Sequence, residues 1–206
     1  SLLFAAQATA YIGLTYLLQQ QRLSGRWSKI IAWGLWSVLS VGLLTHLLPG
    51  YQGLPLTVNG QIKANSLAAS VYLNTDKVLI AWALLQWIPV WQKNSQISRP
   101  APGWYSLVLS LLAIPLIMLL AVELGLLQWQ PGLSGLLAII ILSNLLNTCF
   151  TEELLFRGGL QNYLQQKAGI IGGLMIVSGL FGLAHFAGGG WYMLLATLAG
   201  LLYGLV

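Results

Sequence analysis

Charge is scarce in this 206-residue chain: 6% of its residues are Asp, Glu, Lys or Arg, and only four of those are acidic. Set against 57% hydrophobic residues, nine Trp and a mean hydropathy of +0.78, that scarcity excludes an ordinary soluble domain. The single cysteine, Cys149, excludes an intrachain disulfide framework and a multi-cysteine metal site, and reads as a small buried hydrophobe. Nine Lys and Arg give a formal charge of +5, but they are scattered singly and form no basic stripe, so a nucleic-acid partner is excluded too. There is neither an internal repeat nor a low-complexity tract. The expected partner is the lipid bilayer, and the expected fold is all-α, a polytopic transmembrane helical bundle.

A membrane-spanning helix needs about 20 apolar residues. Stretches of that kind occur at 1–18, 30–48, 104–126, 136–160, 169–187 and 191–206, with a weaker one at 74–92, which predicts about seven spans. Arg22, Arg26, Lys29, Lys93, Arg99 and Lys167 fall on one side of that arrangement, and Lys63 and Lys77 on the other. Basic residues are retained on the cytoplasmic side, so the connections at 19–29, 93–103 and 164–168 are expected there. Trp27, Trp91, Trp104, Trp129 and Trp191 lie near span ends, where an aromatic belt would put them. The chain opens without Met and stops inside the apolar run "LLATLAGLLYGLV", so it reads as a piece of a longer protein.

Three ionised side chains, Glu152, Glu153 and Arg157, stand together in "FTEELLFRGG" within one of these spans. Charges at bilayer depth cost about 2.5–3.5 kcal/mol each on insertion scales, and so mark function. On an α-helix Glu153 and Arg157 are four residues apart in the favourable order for an ion pair. Glu152 is left without that partner and becomes the candidate general base. Downstream, in "SGLFGLAHF", Phe181 and His185 share a helical face. If the chain turns near residue 168, the two helices run antiparallel and Glu152 and His185 reach the same depth. A carboxylate and an imidazole meeting there are the parts needed to activate a water. The alternative is a buried ion pair that locks helix packing, with His185 a satisfied core histidine. His46 is expected at a membrane interface, and Glu123 at the outer one.

"EELLFR" followed by "FGLAH" resembles the EExxxR and FxxxH motifs of the CAAX protease and bacteriocin-processing family, also called Abi or CPBP. The resemblance covers about residues 136–206. It divides the chain into variable N-terminal transmembrane helices, 1–130, and a catalytic core, 131–206. It implies an intramembrane endopeptidase in which Glu152 activates the hydrolytic water and His185 assists it. Glu153 and Arg157 would organise the site, with Phe181 packed beside His185. The family's third motif, a His followed four residues later by Asn or another residue, is expected beyond Val206. The implied substrate is a peptide or lipidated protein.

Two chemistries fit these residues: metal-free glutamate catalysis, which is favoured, or a divalent metal such as zinc held by Glu152 and His185. The HExxH helix of zinc proteases is absent. Two rival readings stay open. "GLSG" at 132–135 and "AHFAG" at 184–188 match a rhomboid-like serine protease pattern, although the antiparallel register puts Ser134 far from His185. A non-catalytic membrane scaffold or regulator would keep the fold without hydrolysis.

Overall fold

The structure is a computed structural model describing residues 1–63, 66, 68–88 and 103–205, with the backbone alone at 105–107. Lys93, Arg99, Trp91 and most of the connection at 93–103 fall outside the described residues. The helices are α1 (Leu2–Gln19), α2 (Arg26–Leu44), α3 (Asp76–Leu85), α4 (Trp104–Glu123), α5 (Gly135–Ser143), the single turn α6 (Phe150–Glu153), α7 (Asn162–Ala184) and α8 (Gly190–Leu205). Two π-helical segments, Asn144–Cys149 and Leu154–Gln161, join α5, α6 and α7.

Helix dominates, as the apolar composition requires, but the all-α expectation fails at one place. Strands β1 (Leu54–Gln61) and β2 (Ala68–Leu73) form an antiparallel hairpin in what reads as a polar connection. Asn59-Gly60 looks like a turn in sequence, yet it sits inside β1. Thr57 faces Val71 and Gly60 faces Ala69, so β1 carries one extra residue, a bulge with Asn59 at φ 49°. The Ser70 hydroxyl secures it, accepting the Asn59 N–H at 3.0 Å and donating to Asn59 Oδ1 at 3.2 Å.

Among the described residues three helical runs are long and apolar enough to cross a membrane: Leu2–Gln19, Arg26–Leu44 and Gly135–Ala184. Val108–Glu123 and Gly190–Leu205 are shorter apolar helices. Within the described part of the weak stretch at 74–92, up to residue 88, lies the ten-residue α3. The run Gly135–Ala184 is two arms, because Gly169 adopts φ 76°, ψ 170°, a conformation open in practice to glycine alone. A Cβ at Gly173 would lie 2.6–2.7 Å from Gln165, eight residues back, so the arms fold together about Gly169. The turn expected near 168 is therefore present.

The chain divides into two compact units, Ser1–Val90 with Gly132–Leu155, and Trp91–Pro131 with Phe156–Val206. In the first, Tyr11, Leu43, Ile80, Ala81, Ala83, Leu84 and Leu154 form a core contributed by α1, α2, α3 and the segment after α6. Polar groups within it are satisfied: Tyr11 and Ser40 share a hydrogen bond of 3.0 Å, and Trp36 Nε1 donates to Thr15 Oγ1 at 2.9 Å. In the second unit α7 packs on α8 through small residues. Ser178 and Gly182 on α7 meet Thr197, Gly200 and neighbouring backbone on α8, the close approach typical of small-residue membrane interfaces. By contrast α5 buries no residue and presents Ile139, Ile141 and Leu142 outward, as suits a lipid-facing helix. Trp27, Trp104, Trp129 and Trp191 are exposed near helix ends.

Candidate functional site

The acidic motif lies on distorted helix. α6 carries Glu152 and Glu153 between the two π-helical segments, and such segments recur at functional sites because they re-aim side chains. The α-helical spacing argument for Glu153 and Arg157 does not hold here, since Arg157 lies in the second π segment.

In the first unit the start of α3 is laced to this distorted stretch. The Thr151 hydroxyl, fully buried, lies 2.7 Å from Asn147 O and 3.2 Å from Lys77 O, both of which can accept from it. The Asn147 amide donates to Asn74 O. Beside them Lys77 Nζ lies 3.4 Å from Glu152 Oε1, with side-chain exposures of 10% and 22%. Glu152 thus has a cationic partner, and Lys77, placed with Lys63 on the non-cytoplasmic side by sequence, is a buried residue in the first turn of α3. The sequence signal existed, since a lysine inside an apolar stretch demands a counter-charge, but nothing in the sequence says which.

His46 stands just past the end of an apolar helix. It terminates α2 in a left-handed conformation, φ 59°, and Leu47 N–H donates to Gly42 O across that turn. Its Nδ1 lies 2.7 Å from Oδ2 of Asp76, which is 2% exposed and also accepts the Lys77 backbone N–H at 3.0 Å. Tyr51 stacks on His46 with ring centroids 5.9 Å apart. Burial, reinforced by the Asp76 charge, pushes the Tyr51 phenol above its ordinary range.

In the second unit the ring of Phe156 meets Phe181 edge-on at 5.1 Å, and Phe181 lies 4.7 Å from the His185 ring, as the resemblance implied. His185 ends α7, and its Nδ1 is 2.8 Å from Phe181 O. A carbonyl only accepts, so Nδ1 carries the proton and Nε2 is the nitrogen left for chemistry. Arg157 is buried, its guanidinium 5.3 Å from the Phe181 ring centre and 6.0 Å from that of Tyr203. Glu153, at the end of α6, is exposed. Gln161, fully buried, donates to Gly204 O at 3.0 Å and ties the second π segment to α8.

Ser134 caps α5, accepting Leu137 N–H at 3.0 Å and donating to Ile62 O at 2.5 Å. Glu123 is exposed at the end of α4. Among the described residues no three His, Cys, Asp or Glu side chains gather into a metal-binding group. A catalytic zinc takes three protein ligands and a water. Glu152 and His185 could offer two, so the described residues alone do not complete that set.

No curated protein and no solved structure matches the chain. Residues 134–206 match a family described as Rce1-like, type II CAAX prenyl endopeptidase Rce1-like. That segment, which contains both EELLFR and FGLAH, is similar to the Rce1-like CAAX prenyl endopeptidases.

Proposed function

We propose that this chain is the membrane-embedded core of an endopeptidase that hydrolyses a peptide bond near the bilayer, acting on a peptide or lipidated protein. The observation that carries the reading is the peptidase-family match over 134–206, the stretch holding the acidic motif and the histidine motif. Glu152 takes the proton from the attacking water, and His185 orients that water through Nε2. Their joint role is supported by the family resemblance over 134–206, which carries both EELLFR and FGLAH. Arg157 and Phe181 organise the site through their stacking, and Glu153 contributes charge at its edge. We read the chemistry as glutamate catalysis without a metal, with polar groups stabilising the developing negative charge.

The test is hydrolysis of an internally quenched prenylated peptide by the full-length protein in liposomes. Glu152→Gln keeps the side-chain shape but cannot accept the proton, so it should lower kcat at least about 10²-fold, the usual scale of general-base catalysis. Rates are compared at equal folded amounts, because Glu152→Gln also removes the counter-charge of the buried Lys77. Cleavage at the wild-type rate would sink the assignment. Wild-type activity should also survive exhaustive phenanthroline; loss restored by added zinc would replace the metal-free chemistry.

A further inference from the structure

We propose that Lys77, contributed by α3 outside the family-matched segment, is a positioning residue for Glu152; the proposal rests on reading Glu152 as the base. A lysine is seldom buried unless paired, and Lys77 is 8% exposed with its ammonium on Glu152 Oε1. An ammonium is a compact charge, and here it meets one oxygen of the carboxylate. Among the described residues Oε2 of Glu152 makes no hydrogen bond, so one carboxylate oxygen is held and the other stays open for a water. A general base works only if that open lone pair is aimed, and a misplacement of about 1 Å can cost about 10²-fold in rate.

The anchoring around Lys77 fits this role. Its backbone is fixed from both sides, the N–H on the buried Asp76 carboxylate and the carbonyl beside the Thr151 hydroxyl, the residue immediately before Glu152. His46 pins Asp76 in turn, and Asn147 reaches Asn74 O. The first turn of α3 and the stretch 147–152 are thus joined at Asn74 O, Lys77 O and Lys77 Nζ. All of these contacts lie inside the first unit. A residue serving only to neutralise Glu152 would not need its backbone locked to the residue beside it.

The experiment measures kcat, KM and detergent melting temperature for Lys77→Met, Lys77→Arg and Glu152→Gln in the full-length protein, with the same quenched prenylated peptide. Positioning predicts that folded Lys77→Met loses about 10²-fold in kcat with KM within about twofold, and that Lys77→Arg recovers at least about tenfold of that loss by restoring a cation. Wild-type kcat in Lys77→Met overturns the proposal. So does a loss in Lys77→Met and Lys77→Arg alike that merely tracks the amount of folded protein. Should Lys77→Met fail to fold, Lys77→Arg against Lys77→Gln at equal folded amounts decides: a faster Arg variant supports positioning, and equal rates refute it. Glu152→Gln separates the two ideas. If it is inactive while Lys77→Met is wild-type, only the Lys77 role falls; if it is active, the base assignment falls and this one with it.

Discussion

Arg157 is a buried cation whose guanidinium lies over Phe181 and Tyr203. Removing its side chain forfeits two ring contacts, worth about 0.5–2 kcal/mol each in a desolvated setting. Arg157→Ala should therefore lower the melting temperature in detergent more than Glu152→Gln does, by about 1–3 kcal/mol of stability. Equal melting of the two variants would count against the stacking role. The family resemblance named Arg157 and Phe181 as organisers, and the structure adds that Arg157 lies over the Phe181 and Tyr203 rings. The i to i+4 rule presupposes an α-helix, and here the backbone is π-helical from Leu154 to Gln161.

At the scale of elements, most helices are visible in composition because a run of about 20 apolar residues has few other fates in a bilayer. The exceptions follow from local backbone chemistry. The β-hairpin was hidden because Pro55 and Asn59-Gly60 are turn formers by propensity, yet a bulge accommodates the latter within the strand. The reversal between the two arms was foreseeable from "QQKAG", and the structure concentrates it on one residue. Gly169 holds a conformation that a Cβ makes costly, so Gly169→Ala should destabilise the protein by about 1–3 kcal/mol. Equilibrium unfolding in mixed micelles would measure this. A neutral Gly169→Ala would mean that the arms reverse elsewhere. Gly182 tests a different force: a Cβ there would fall 2.8 Å from Met193 O on α8, so packing rather than backbone strain limits substitution.

At the scale of the whole molecule, the proposed joint role of Glu152 and His185 can be tested by cross-linking. Cysteines at 152 and 185, in a Cys149→Ser background, should cross-link if the hairpin register continues past Phe156, since a disulfide needs Cα atoms within about 7 Å. A pair at 134 and 185 should fail. Linking of 134 to 185 with failure of 152 to 185 would remove the glutamate site. It would also return attention to Ser134, which the structure uses as a helix cap.

By itself the sequence determined that this is a membrane protein and where its peptidase-like motifs lie. Scarce charge in an apolar chain has one solvent, and a carboxylate within such a chain needs a reason to be there. It also located the reversal near residue 168. Only the tertiary structure decided which cation answers Glu152, because Lys77 lies 75 residues away and long-range pairing leaves no trace in local periodicity. The same holds for the His46–Asp76 contact and for the π-helical backbone around α6. Each arises where packing between elements outweighs the intrinsic preference of the residues involved.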